Sequence, residues 1–267
     1  MAKVWAYFDA VGPLTGRPWP IHYREDEDAR LARLQAMGVR AFPSLVYPHK
    51  PGMAAWLNDW AADFAAGHSE VLPTATFFPE ESAAAYVQAA LSRGAKVFKA
   101  HVQVGAYDPR DALLRPVWAQ LAEAGVPVVV HCGDGPAPGP YTGPAIFAEV
   151  LAAHPTLTAV IAHMGMPDYA AFLDLAERYE RIHLDTTMAF TRWAEGLVPF
   201  PDRLRVRLSR LADRIVLGSD FPNIPYGYFE QLAGLVRLDL GEGWLRGVLH
   251  DNAARLLAPS RSVNGPK

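Results

Sequence analysis

The chain has 267 residues, a formal net charge of −3, and 51% hydrophobic against 20% charged residues. That length suits one (β/α)8 barrel, the apolar fraction supplies a large core rather than a disordered chain, and the charge excludes the clustered basic face of an electrostatic nucleic-acid binder. A single cysteine excludes an internal disulfide framework, and no apolar run reaches about 18 residues and no signal-peptide pattern is present, so the chain reads as soluble and cytoplasmic, without a membrane partner.

In chain order, the N-terminus admits two readings. Lys3-Val4-Trp5-Ala6-Tyr7-Phe8-Asp9 is short and aromatic enough for a strand, while Val4, Phe8 and Val11 at i, i+4, i+7 favour a helix; Gly12-Pro13 stops either one. Residues 24–37 form a clearer helix, with Glu25, Asp26, Glu27 and Asp28 in the first turn, Leu31, Leu34 and Met37 as its stripe, and Gly38 beyond its end. Val39 to Tyr47 reads as a strand. Met53, Trp56, Leu57, Trp60 and Phe64 mark a helix that stops at Gly67, the aromatics reading as core. Val71 to Phe78 is a strand, Glu80 to Arg93 a helix closed by Gly94, and Lys96 to Val102 a strand. The alternation continues with helix 111–124, strand 127–131, helix 144–153, strand 158–163, helix 167–179, strand 181–186, helix 202–213 and strand 215–220. Helical stretches near 227–238 and 243–257 close the pattern.

Strict β and α alternation means a parallel sheet with right-handed crossovers. No linker divides it, so residues 1–258 are expected to form one TIM-barrel domain, with a polar tail over 259–267. About seven strands follow residue 39, where a closed barrel has eight. Either the 4–9 stretch supplies the first strand or the chain begins after it.

The chemistry gathers at predicted strand ends. Pro127-Val128-Val129-Val130-His131-Cys132-Gly133 is an apolar run that ends in a histidine and a Gly-rich loop. Thr158 to His163 repeats the pattern, and Ile215 to Asp220 ends in an aspartate. Of 9 histidines, His101, His131 and His163 lie at or within one residue of a strand end, and Asp185 lies near another. Any one of these reads equally well as a cap for the turn that follows. Together on one barrel face they read as a site, because barrels carry their chemistry at the carboxyl ends of strands. Imidazole and carboxylate suit zinc and related divalent ions, which lower the pKa of a bound water, and a nearby carboxylate or imidazole then takes its proton.

The remaining candidates are weaker. His49 reads as a surface or capping group, with a substrate contact near the second strand end as the alternative, and Tyr141, Arg192, Tyr226 and Tyr228 are candidates on the rim. His22, His68 and His154 read as surface or capping groups, and His183 and His250 as structural. Cys132 reads as a small buried residue, since no base is placed for it. Gly133 to Pro140 lacks the Lys-Ser/Thr of a P-loop and reads as the active-site loop after the fifth strand.

The segments Val97-Phe98-Lys99-Ala100-His101, Val129-Val130-His131-Cys132-Gly133, Ile161-Ala162-His163-Met164-Gly165, Leu217-Gly218-Ser219-Asp220-Phe221-Pro222 and Asp251-Asn252-Ala253-Ala254-Arg255-Leu256-Leu257 together resemble the amidohydrolase superfamily over about residues 38–258. The match is best to the branch of amidohydrolase-related hydrolases and decarboxylases of aminocarboxymuconate semialdehyde type. The resemblance implies a (β/α)8 barrel with a mononuclear or binuclear divalent metal centre: zinc, or else manganese, iron or cobalt. It implies that His131 is a metal ligand and that Asp220 is a ligand that also handles the proton of the bound water. His163 would be a second ligand, or the residue that activates water and contacts substrate. Lys99 stands where some relatives carry a carboxylated lysine that bridges two metals; the matched branch more often leaves it unmodified, so Lys99 and His101 are taken as substrate contacts.

One departure matters. The family's first strand ends in His-x-His, and no His-x-His occurs in this sequence. Either Phe8 to Gly12 is that strand tip with its ligands lost, or 2–9 is the helix after the strand and the natural chain starts upstream of Met1. On the second reading, which the helical spacing favours, this chain binds metal weakly and exposes an unpaired sheet edge that promotes a homo-oligomer or aggregation. The expected activity is metal-dependent hydrolysis of a C–N or C–O bond in a small molecule. The alternatives are decarboxylation of a small unsaturated or aromatic acid, and a metal-free barrel that only binds ligand.

Overall fold

Short apolar runs separated by helix-length segments stack as parallel strands in the computed structural model, which describes residues 2–15 and 18–258. The segments are β1 (Phe42–Pro43), β2 (Val71–Leu72), β3 (Thr74–Thr76), β4 (Val97–His101), β5 (Val128–His131), β6 (Ala159–Ile161), β7 (Ile182–Asp185) and β8 (Ile215–Val216). β1 pairs with β2, and β3 to β8 pair in sequence order, all parallel. β2 and β3 are one path interrupted at Pro73, which has no N–H to give the ladder; its carbonyl still accepts from Lys96 N at 2.8 Å. The sequential parallel order is that of a TIM barrel. Among the described residues, no pairing joins β8 to β1.

The stretch that admits two readings is helical over Ala2–Thr15. It passes through Gly12-Pro13 rather than stopping there, since glycine tolerates the restriction a following proline imposes. The chain then runs extended across the loop that follows β8. His22 N donates to Ile224 O at 2.9 Å, Trp19 Nε1 to Asn223 O at 2.9 Å, and Tyr228 N to the Tyr23 hydroxyl at 2.7 Å. Trp19, Ile21 and Tyr23 alternate inward and pack with Ile224, Tyr226 and Tyr228.

The two-residue period of each strand divides the core. Phe98, Ala100, Val128, Val130, Ile161 and Leu184 face the helix layer. Val97, Val129, Val160, Ala162 and Val216 meet inside the sheet, with Leu45 and with Leu256 and Leu257 of the last helical turn. The same period places Lys99 and His101 on the inner row with Val97, and His131 with Val129. It places Asp185 on the row opposite to Leu184.

Most helices keep to their signals. Asp26 caps Glu27–Ala36 by accepting from Ala29 N at 2.8 Å, and Pro144–Ala153 falls where expected. The expected strand over 39–47 shortens to β1, whose Pro43 offers no ladder donor. The helix expected over 243–257 divides into Glu242–Arg246, a π turn and Asn252–Leu256. The polar tail beyond residue 258 lies outside the described residues.

Ala54–Gly67 corrects the expected core. Trp56 and Trp60 are 53% and 41% exposed, and the buried stripe is Ala54, Leu57, Asn58 and Ala61. Asn58 turns that face inward, donating Nδ2–H to Thr76 O at 3.1 Å and accepting from Thr76 N at 2.7 Å. Its small neighbours permit this approach, which leaves the bulky flank at the surface with Trp60 stacked on Phe64.

Candidate active site

Towards the carboxyl ends of β4 to β8 the inner row turns polar. His101 and His131 are register partners whose rings stack at 4.0 Å, and His163 meets His131 edge-on at 4.8 Å. Tyr47 adds a fourth ring, 4.5 Å from His101. Burial, followed by the charges of neighbouring histidines and of Lys99, holds His101 and His131 well below the usual histidine range, so both are neutral near pH 7. Their hydrogen bonds assign the tautomers. His101 Nδ1 accepts from Val104 N at 3.3 Å, which leaves the N–H on Nε2. His131 Nε2 lies 2.9 Å from the Gly135 carbonyl and therefore carries a proton that it donates.

The loop after β5 makes that carbonyl available. Gly135 N donates to Met166 O at 3.1 Å, and a Cβ on Gly133 would come within 2.8 Å of the same oxygen. The glycines allow the β5 and β6 loops to lie backbone against backbone. The loop folds back over His131.

His163 and Asp220 come together from beyond their strands. β6 ends at Ile161 and β8 at Val216, so neither residue is in a ladder. His163 and Asp220 take φ of 57° and 52°, a left-handed backbone uncommon outside glycine. His163 Nε2 then stands 3.6 Å from Asp220 Oδ2, with side-chain exposures of 15% and 48%. One partner is sheltered, and the other reaches water.

Lys99 is 6% exposed. Burial lowers its pKa, against the pull of Asp220 and Asp185. Tyr226 is buried beside the pair, its hydroxyl pKa pushed up by burial and by the Asp220 charge, and it hydrogen-bonds Gln231 Oε1 at 3.3 Å. Of the other expected contacts, His49 is exposed, Arg192 is exposed with its backbone N on Glu230 at 2.9 Å, and Tyr141 packs against the main core. Tyr228 is buried against Tyr23, and Cys132 is buried with its thiol pKa pushed up by desolvation. Sequence reasoning passed over Tyr47, one residue before the Pro48-His49 pair that drew attention instead.

Histidines, a lysine and an aspartate at the carboxyl ends of consecutive parallel strands agree with the motifs, and residues 13–258 match the amidohydrolase family. The chain belongs to that family. Its fold is that of solved TIM-barrel proteins of the amidohydrolase superfamily. An uncharacterized TIM-barrel protein from Bordetella bronchiseptica aligns with a TM-score of 0.78 at 22% identity, over 96% of this chain and 92% of that one. The 5-carboxyvanillate decarboxylase of Sphingomonas paucimobilis aligns at 0.63 and 16% identity, over 96% of each chain. A candidate 2-pyrone-4,6-dicarboxylic acid hydrolase from Pseudomonas putida aligns at 0.62 and 16%, over 95% and 94%. Among curated proteins, none matches this chain. No helix among the described residues is long and apolar enough to cross a membrane.

The amidohydrolase superfamily generally uses divalent metals. The donor set tests whether this chain is built for one. A tight zinc site takes at least about three protein ligands, and among the described residues no group of three or more His, Cys, Asp or Glu is arranged to hold a metal. Of the expected ligands, His131 turns its Nε2–H to the Gly135 carbonyl, and His163 and Asp220 face each other. Among the described residues, the groups present are not arranged to hold a divalent ion.

Proposed function

We propose that the chain hydrolyses a C–O or C–N bond of a small carbonyl compound (a lactone, ester or amide) at the carboxyl end of the sheet, with His163 and Asp220 handling the protons. The observation that carries this is the 3.6 Å approach of His163 Nε2 to Asp220 Oδ2. A water bridging these atoms gives its proton to the Asp220 carboxylate as its oxygen attacks the carbonyl carbon. The proton then passes to the leaving oxygen or nitrogen as that bond breaks, so water is consumed and an acid and an alcohol or amine are released. His163 orients the water. General acid–base catalysis of this kind is worth about 10²–10⁴-fold. Lys99 and the Nε2–H of His101 lie on the β4 side of the same cluster and contact the substrate, with Tyr226 beside Asp220.

The second reading, decarboxylation of a small unsaturated or aromatic acid, is favoured by Lys99. A buried amine without a hydrogen bond or ion pair among the described contacts is the partner that a substrate carboxylate would satisfy. The 5-carboxyvanillate decarboxylase among the structural relatives is consistent with this reading.

A panel of lactones, cyclic amides and aromatic acids, followed by acid release and by CO2 release, separates the two. Hydrolysis with acid release and no CO2, reduced at least 100-fold in Asp220→Asn, is the expected result. CO2 release from the acids alone, or full activity in Asp220→Asn, would overturn the hydrolase reading.

A further inference from the structure

We infer that Asp185 is the positioning residue of the pair, holding His163 in the turn that aims its ring at Asp220; the inference rests on the His163–Asp220 reading above. After β6, residues His163, Met164 and Gly165 take φ of 57°, 56° and 75° in succession. Non-glycine residues stay in this region only where their surroundings fix them. Asp185, at the end of β7 and 6% exposed, supplies the fixing contact. Its Oδ1 accepts from His163 N at 2.9 Å and from Thr187 N at 2.9 Å. The second bond closes a local Asx turn between residues two apart. The first spans 22 residues and ties the tip of β6 to the tip of β7.

The same carboxylate also meets the chain that leads to Asp220. A Cβ on Gly218 would lie 2.8 Å from Asp185 Oδ1 and 2.0 Å from Thr187 Oγ1. The backbone after β8 therefore passes directly over Asp185, two residues before Asp220. One buried side chain thus contacts the segments that carry both members of the pair, while touching neither reacting atom.

Side-chain NMR of the full-length protein reads the coupling without any substrate. The His163 ring signal is assigned by its loss in His163→Gln, and its displacement by Asp220→Asn is measured in three backgrounds. In the wild type that displacement is clear. In Asp185→Ala it is expected to shrink at least threefold, and in Asp185→Asn, which keeps Oδ1 as acceptor, to stay near the wild-type value. Should Asp185→Ala not fold, Gly218→Ala displaces the carboxylate from the β8 side and is expected to shrink the response in the same way. An undiminished response in the Ala variant, whatever its melting temperature, would overturn the inference, as would an Asn variant that loses the response. Where a hydrolysed substrate is in hand, Asp185→Ala is expected to lower kcat with KM little changed. The NMR result stands or falls apart from that activity.

Discussion

His163 and Asp220 occupy backbone conformations that neither residue takes freely, and both lie beyond the last ladder bond of their strands. The strand-end pattern in the sequence points to both, because an apolar run that stops at a polar residue is visible without coordinates. Their meeting is not visible, because it depends on left-handed turns that no periodicity encodes. Gly165 shows what holds one of those turns: its φ is +75° and an added Cβ would fall 2.0 Å from the Phe172 ring. Gly165→Ala is expected to cost about 1–3 kcal/mol or more, as a shift in the chemical-denaturation midpoint; an unshifted midpoint would show that the turn relaxes without difficulty.

A second residue sets a pH response away from the site. Burial, followed by the Arg214 charge, lowers the pKa of His183 to about 4, with Asp213 opposing and Arg255 assisting. A histidine whose folded pKa is depressed binds fewer protons folded than unfolded, so its stabilising contribution is full above the unfolded value of about 6.5 and is lost as pH falls towards the folded one. Wild-type protein should therefore lose more stability between pH 7 and pH 4.5 than His183→Gln. Equal losses in the two proteins would contradict this assignment.

At the scale of elements, the order of the main strands and helices was legible from residue 24 onward. Glycines and prolines punctuate it, and each inner strand is apolar. What misled was Ala54–Gly67. Trp56, Trp60 and Phe64 have the spacing of a core stripe, but hydrophobic periodicity does not register that a polar Asn58 with small neighbours seats closer to the sheet. Asn58→Ala leaves the Thr76 N–H and C=O unpaired in a buried position, at an expected cost of about 1–3 kcal/mol in unfolding free energy. Trp60→Ser, on the exposed flank, is expected to cost less than about 1 kcal/mol. The reverse ranking in thermal or urea unfolding would restore the aromatic stripe as the core face.

For the whole molecule, the resemblance carried the fold and family correctly, while among the described residues no donor set is arranged for the metal centre it implies. The rim contacts were the least legible: His49, Tyr141 and Arg192 lie on loops or at element ends, where position in sequence does not decide which side chains face a site. The sheet poses its own question. Among the described residues β1 and β8 each have a ladder partner on one side only, and open strand edges pair with other chains. Light scattering is expected to show a dimer or larger species, and a monomer that unfolds cooperatively at high temperature would count against an exposed edge.

Under the proposed function, proton transfer through His163 and Asp220 does the chemistry without a divalent ion. Its most direct test is elemental analysis of the purified 267-residue protein, with hydrolysis measured before and after dialysis against a chelator. Metal well below one equivalent per chain is expected, with turnover unchanged by the chelator yet reduced at least 100-fold by Asp220→Asn. A stoichiometric, chelator-resistant metal, or activity that vanishes on chelation and returns with zinc or manganese, would contradict it.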